Sequence, residues 1–432
     1  MSSEWLLVSL KEVTSILGDG LHGTPEYDSN GDHFFINGNN LSNGKIVFSA
    51  ATKRVSATEA AKHKKNLTDR TILVSINGTL GNVAFYDGEK VVLGKSACYF
   101  NVIDGVDKHF IRYVLDNEVF QGYIHNLAAG STIKNVSLKL MRDFQFSLPP
   151  ISLQQQIAGV LKSLDDRITL LRETNTTLEA IAQALFKSWF VDFDPVHAKM
   201  QGRAPEGMDE ATAALFPDSF EVSELGDVPK GWRSGDLNTL AELNPESWSA
   251  KHHPGRVLYV DLANTKAGQI DDYIDFSFEE APSRARRVLR CGDVIVGTVR
   301  PGNRSFARIA SDVTGLTGST GFAVLRSREV VDQALVYIAA TNDEAIDRLS
   351  HLADGGAYPA VRPEVIGNTP LVIAPEEIRN SFGEIANPLF ASIGANQDRM
   401  KQLASLRDTL LPRLISGQLQ LPEVSQLEES LA

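Results

Sequence analysis

Between Ser152 and Phe190 the chain reads SLQQQIAGVLKSLDDRITLLRETNTTLEAIAQALFKSWF, and the spacing of this stretch decides the fold. In steps of four and three it yields Ile157, Leu161, Leu164, Ile168, Leu171, Asn175, Leu178, Ala182, Leu185 and Trp189, a heptad seam with one polar interruption. An apolar stripe on a helix has to be buried against a partner helix. Pro149 and Pro150 stop whatever strand comes before, Ser152 with Gln155 matches a capping box, and Pro195 closes the run. At about 1.5 Å per residue the rod is on the order of 50 Å long, more than a compact domain of this size needs.

The partner lies in the same chain. A shift that carries Leu127 onto Leu352, 225 positions, also lays Gly130, Val136, Leu148 and Pro150 onto Gly355, Val361, Ile373 and Pro375 without a gap. The seam then falls on Phe382, Ala386, Leu389, Ile393, Asn396, Met400, Leu403, Arg407, Leu410 and Leu414, and the polar position recurs as Asn396. Antiparallel pairing about the midpoints sets Asn175 against Asn396, Leu171 against Met400, Leu178 against Ile393 and Trp189 against Phe382. A buried Asn pair costs stability and forbids slippage, so it fixes register. Pro412 lacks a helical donor and is expected to kink or end the second helix.

The 432 residues therefore divide into two similar halves. The expected class is α+β, with two similar β-rich globular domains separated by two long α-helices that form an antiparallel coiled coil, a pseudo-twofold internal repeat. Residues 1–150 form the first domain, 151–191 the central helix, 192–230 a connector rich in Pro, Gly and acids, 231–375 the second domain, 376–417 the C-terminal helix and 418–432 a polar tail. In the first half Phe34 to Ile36, Lys45 to Phe48, Thr71 to Val74, Asn82 to Tyr86 and Ala97 to Val102 read as strands, followed by a helix from Asp107 to Tyr123. The second half repeats the order, with a helix from Val331 to about Leu349.

The composition is that of an ordinary globular protein, and no run is long enough to cross a membrane. The first residues carry no basic region followed by an apolar core, so no export signal is expected. Cys98 and Cys291 are too few for a disulfide framework and read as reduced, buried thiols of a cytoplasmic protein. A net charge of −12 taken alone argues mildly against a nucleic-acid partner.

No catalytic constellation assembles. Gly88 to Ser96 has five residues between its glycines where a phosphate cradle needs four, and it reads as a hairpin turn. Asn244-Pro245-Glu246 lacks the second proline and the aromatic of an adenine-methylating motif. His252-His253 has no Cys or carboxylate at ligand spacing and reads as a solvated loop, so neither a metal site nor catalytic residues are expected.

Local charge is more informative. Arg284, Arg286, Arg287, Arg290, Arg300, Arg304 and Arg308 fall in one stretch whose only acid is Asp293, and Lys53, Arg54, Lys62, Lys64, Lys65 and Arg70 form a counterpart in the first half. Both blocks are read in turns between strands, at corresponding places. Arg suits bidentate readout of guanine as well as phosphate contact, and Lys supplies salt-sensitive backbone attraction; the bland alternative is a solvated face paired with nearby acids. Gly130-Ser-Thr-Ile-Lys134 and Gly355-Gly-Ala-Tyr-Pro359 occupy equivalent turns, which makes Ser131, Thr132, Lys134 and Tyr358 further candidates for contact with a duplex. Asn37, Asn39, Asn40 and Asn264 are the right type to read adenine edges and equally the ordinary residues of turns.

The run Leu148-Pro-Pro-Ile-Ser-Leu-Gln-Gln-Gln-Ile157, the Gly-Ser-Thr-Ile-Lys-Asn turn before it, Gly226-Asp-Val-Pro-Lys-Gly-Trp232 and Arg407-Asp-Thr-Leu-Leu-Pro-Arg-Leu-Ile-Ser-Gly417 together resemble the specificity subunit of type I restriction-modification systems, over essentially the whole chain. The resemblance implies two target recognition domains, each reading one half of a bipartite site on double-stranded DNA, at a spacing set by the conserved helices. It implies assembly with two methyltransferase subunits, which bind S-adenosylmethionine, and two restriction subunits, which use ATP and Mg and cut DNA. This chain would bind no cofactor and carry neither chemistry. Ala374-Pro-Glu-Glu stands where the first half has Leu148-Pro-Pro-Ile, and Gly355-Gly-Ala-Tyr replaces Gly-Ser-Thr-Ile-Lys, so contacts assigned by analogy to Lys134 have no equivalent in the second half. The alternative is a non-catalytic protein-protein scaffold whose two β-rich domains bind acidic partners.

Overall fold

The computed structural model describes residues 5–129 and 134–421. They form two compact units, the first from residues 1–169 with 400–432 and the second from 170–399.

The first unit is built on a four-stranded antiparallel sheet, in the spatial order Thr14–Asp19, Ala97–Val102, Thr71–Asn77, Thr79–Phe85. The Thr71–Asn77 strand reads as a continuous apolar run because both of its faces are covered: every residue from Thr71 to Ile76 is buried. A second sheet orders Arg54–Val55, His33–Ile36 and Val91–Leu93, the last two parallel. Gly88 to Ser96 is thus a strand between two turns rather than a hairpin turn. Leu6–Ser9 pairs with Gln145–Leu148 and ties the start of this unit to the strand that precedes the first long helix.

The second unit repeats that plan. Its antiparallel sheet orders Ala241–Leu243, Phe322–Ser327, Val294–Gly297 and Phe306–Arg308, and Arg233–Asp236 pairs with Pro370–Ile373. The second sheet orders Ile274–Ser277, Arg256–Val260, Leu316–Ser319 and Ala285–Val288, again with one parallel pair at its centre. The expected single helices are each broken in two. Lys108–Asp116 and Glu118–Leu127 meet at Asn117, whose side chain caps the second by accepting from the Val119 N–H. Gln333–Thr341 and Asp343–Leu352 meet at Asn342, 225 positions on, which accepts from the Ala345 N–H.

The two long helices are Ile151–Phe190 and Glu376–Ile415, each of 40 residues. In the first unit Ile157 and Leu161 share a core with Leu411, Leu414 and Ile415 beneath Phe110 and Phe144, and Arg407 donates to Asp165 at 2.8 Å. In the second unit Asn396 Nδ2 donates to Asn175 Oδ1 at 2.8 Å, Asn175 Nδ2 donates to the Ile393 carbonyl at 3.3 Å, and the Trp189 and Phe382 rings lie 6.0 Å apart. Within each unit the partner number falls as the first helix rises, so the segments run antiparallel, and in the second unit the Asn pair and the Trp189–Phe382 pair sit where the spacing placed them.

Several local expectations are revised. The helix begins at Ile151, so Ser152 lies inside it and is no cap. Gln154 is the buried polar residue there, accepting from the Asp107 N–H at 2.9 Å and donating to the Pro149 carbonyl at 2.7 Å. Pro412 sits inside the second helix, which continues to Ile415. Residues 192–230 hold the helices Asp194–Met200 and Glu210–Leu215 and the hairpin Phe220–Ser223 with Gly226–Pro229, and Val196 and Phe216 are buried in the core of the second unit. Cys98 is buried, but Cys291 is exposed.

Candidate nucleic-acid interface

The equivalent loops are built alike. Ala129 and Asn135 exchange two backbone hydrogen bonds of 3.0 and 2.8 Å, and 225 positions on Asp354 and Ala360 do the same at 3.1 and 2.8 Å. Ser131 and Thr132 lie outside the described residues. Lys134 is exposed, and its carbonyl accepts from the Gly78 N–H at 3.1 Å. In the second unit Tyr358 is 71% exposed, with the Arg300 guanidinium carbon 4.7 Å from its ring centroid. Arg300 also donates from Nη2 to the Ala357 carbonyl at 2.7 Å and from its backbone to the Pro359 carbonyl at 2.7 Å. Gly355 has φ 116°, and a Cβ there would meet the Tyr358 carbonyl at 3.1 Å, so this turn requires glycine. The loop therefore presents an aromatic ring and a cation as one unit.

The arginines of the run are held in different ways. Arg284 is exposed at the edge of the second sheet. Arg286 and Arg287 lie in the strand Ala285–Val288 rather than in a turn. Arg286 stacks 4.7 Å from the Phe278 ring, whose neighbour is His253 at 3.8 Å, so the histidine read as solvated is packed. Arg287 is half-buried, donates to Ser247 Oγ at 3.3 Å, and burial pulls its guanidinium below the usual range. Arg300 and Arg304 flank a tight turn with φ of 48° and 59°. Arg304 pairs with Asp343 at 2.6 Å. Arg290 belongs to the scaffold through Glu246 at 2.6 Å, and fully buried Asp293 takes both Nε and Nη2 of Arg326 at 2.8 Å. Arg308 donates to Gln333 at 2.8 Å.

In the first unit Lys53, Arg54 and Lys64 are exposed and Lys65 is half-buried, 6.0 Å from the Tyr99 ring. Arg54 lies in a strand and Lys62 in the helix Ala57–Lys62, so this block too is only partly in turns. Lys62 pairs with Glu59 at 2.7 Å; that bond, with others from the Glu26 backbone and His63, holds the Glu59 carboxyl down at about 2. Arg70 is structural, donating to the carbonyls of Val102, Ile103 and Val106. Asn37 and Asn40 are occupied by neighbouring groups: Asn40 Oδ1 accepts from the Asn37 N–H at 3.0 Å, and Asn37 Oδ1 accepts from Ser96 Oγ at 2.9 Å. Asn39 is exposed. Sequence reasoning passed over the aromatic neighbours of these cations, Phe34, Phe48 and Phe278; the signal was an aromatic in or beside each basic strand.

Among the described residues no group of three or more His, Cys, Asp or Glu is placed to hold a metal ion, and no helix is long and apolar enough to cross a membrane. The arrangement offers exposed cations, planar side chains and backbone-rigid loops, which suit a polyanion with flat faces.

Residues 2–180 match the family model described as the type I restriction modification DNA specificity domain. The type I restriction enzyme MjaIX specificity subunit of Methanocaldococcus jannaschii is 25% identical over 427 residues, covering 98% of this chain and 95% of that protein. The HindI specificity subunit of Haemophilus influenzae is 23% identical over 340 residues, covering 67% of this chain and 72% of that one. The fold is similar to that of the crystal structure of a type I restriction-modification S subunit from M. genitalium, at a TM-score of 0.55, 17% identity and 97% coverage of each chain.

Proposed function

We propose that this chain is a type I restriction-modification specificity subunit, that it reads a bipartite target on double-stranded DNA, one half-site per β-rich domain, and that it directs methyltransferase and restriction subunits to it. The observation that carries the reading is the repeated plan. Each unit has a four-stranded antiparallel sheet of the same order and an equivalent loop closed by the same pair of backbone bonds, and each sets exposed cations beside aromatic rings. Two similar heads on one chain suit a target of two parts.

The proposed contacts are Lys53, Arg54, Lys64, Ser131, Thr132 and Lys134 for one half-site and Arg284, Arg300 and Tyr358 for the other. Lys62, Lys65, Arg286, Arg287 and Arg304 contribute through the partners that already hold them. The long helices act as a ruler, so the bases between the half-sites are measured and not read. Two methyltransferase subunits, with S-adenosylmethionine, and two restriction subunits, with ATP and Mg, supply the chemistry, and the assembly works in the cytoplasm; the chain itself binds no cofactor and is not an enzyme.

Sequencing methylated positions in host DNA with and without this gene tests the reading. It predicts one bipartite motif that vanishes with the gene; an unchanged methylation pattern would sink it.

A further inference from the structure

Val47 and Phe48 form an apolar knob on the first unit, 48% and 37% exposed. The loop that carries them has a fixed shape. The Val47 N–H donates to the Asn40 carbonyl at 2.7 Å, Asn40 Nδ2 returns a bond to the Val47 carbonyl at 3.0 Å, and Ser49 and Thr52 close the next turn through bonds of 2.8 and 3.0 Å. Side chains held this way need little further ordering on binding.

Phe48 stacks on Phe34 with centroids 4.2 Å apart and planes 27° from parallel. That ring fills one face of Phe34, which leaves the other for Arg54, whose guanidinium carbon lies 4.7 Å from the Phe34 centroid. The column is thus Phe48, Phe34, Arg54, with both of its ends exposed. Lys45, three residues before Phe48, and Lys53, next to Arg54, are exposed, as is Arg54, and among the described residues no carboxylate pairs with any of them. A partner must satisfy three cations and an aromatic face together. An acidic protein surface answers only the cations; a duplex offers phosphates and, between them, base steps into which an apolar side chain can wedge.

Resting on the reading above, the geometry points to Phe48 as a wedge that enters a groove of the half-site read by the first unit and stacks on a base, while Lys45 and Lys53 lie on the flanking phosphates. The contact is sequence-tolerant by itself and fixes where the reading head sits.

The test uses the assembled complex with its methyltransferase subunits and target duplexes carrying 2-aminopurine at successive positions of each half-site. With the natural chain, one step in the first half-site brightens as it unstacks. Phe48→Ala abolishes that signal and weakens binding between about fivefold and about 150-fold. The salt slope stays unchanged because no charge is lost. Phe48→Leu, which still covers Phe34, keeps part of the brightening and carries the test should the alanine variant fail to assemble. Binding within about twofold of the natural complex, with the same brightening in the alanine variant, or in Phe48→Leu where that variant alone assembles, overturns the wedge and leaves the specificity reading intact. A natural complex that prefers no defined duplex overturns that reading itself.

Discussion

At positions 112, 165 and 407 the first unit holds Arg, Asp and Arg; at the equivalent positions 337, 390 and 182 the second holds Tyr, Phe and Ala. In the first unit Asp165 accepts from Arg112 Nη1 at 2.9 Å, Tyr113 Oη at 2.8 Å and Arg407 Nη1 at 2.8 Å. In the second, the Tyr337 and Phe390 rings meet edge to face at 4.9 Å beside fully buried Ala182. The same joint between a β-rich domain and its share of the helix pair is an ion cluster in one copy and mainly aromatic in the other, where the Tyr337 hydroxyl donates to Glu179 at 3.1 Å. A buried ion cluster is no stronger than apolar packing and is fragile when one member is lost; what it adds is sensitivity to pH and salt.

The largest effect is expected where aromatic rings pack the second unit's helix pair. Phe382 is fully buried against Phe186, Trp189 and Phe190, so Phe382→Ala should cost about 3–5 kcal/mol in urea unfolding of the second unit's transition. A cost under about 1 kcal/mol would mean those rings are not packed as described.

Asp165→Ala comes next, leaving Arg112 with only Asp116 at 3.1 Å and Arg407 with only Asp408 at 2.7 Å as carboxylate partners. Both arginines are partly solvated, which brings the usual 3–5 kcal/mol down to about 2 kcal/mol. Burial alone would raise the Asp165 carboxyl, but hydrogen bonds from Arg407 and Tyr113 and the charge of Arg112 more than reverse that and hold it below the ordinary carboxylate value. A lowered value means that the carboxylate stabilises the fold above the unfolded-state value of about 4 and loses that effect as pH falls through the folded one. The deficit of the variant, measured by thermal unfolding, should therefore be full at neutral pH and shrink below about pH 4. A pH-independent deficit would assign the loss to packing.

The smallest change concerns the hairpin tips. Asn43-Gly44 and Ala267-Gly268 both form two-residue turns with φ positive at each position, 49° and 77°, then 44° and 85°. Alanine is strained there, so Ala267→Asn, which copies the first unit, should raise stability by about 0.5–1 kcal/mol. A destabilised variant would show that the side chain at 267 matters more than its backbone.

These contrasts also mark what could be read in advance. The long helices and the Asn175–Asn396 pair were legible because a heptad seam repeats over many turns. The breaks at Asn117 and Asn342 were readable from Asn-Glu and Asn-Asp cap patterns that the apolar spacing obscured. Residues 192–230 hid their structure because helices of seven and six residues show too little period, and Val196 and Phe216 are buried by tertiary contacts. The site was less legible than the fold. Whether an arginine stands exposed, as Arg284 does, or stacks, as Arg286 does on Phe278, depends on a ring elsewhere in the chain. The strain at Ala267 is imposed by its hairpin and leaves no mark in composition.

The account rests on the helix pair as a ruler, and inserting one heptad into each helix, after Thr169 and before Met400, tests it most directly. Seven residues add about 10 Å, close to three base pairs at about 3.4 Å each, so sequencing of methylated sites should show the same two half-sites with the spacer longer by about three base pairs. Altered half-sites with an unchanged spacer would contradict it.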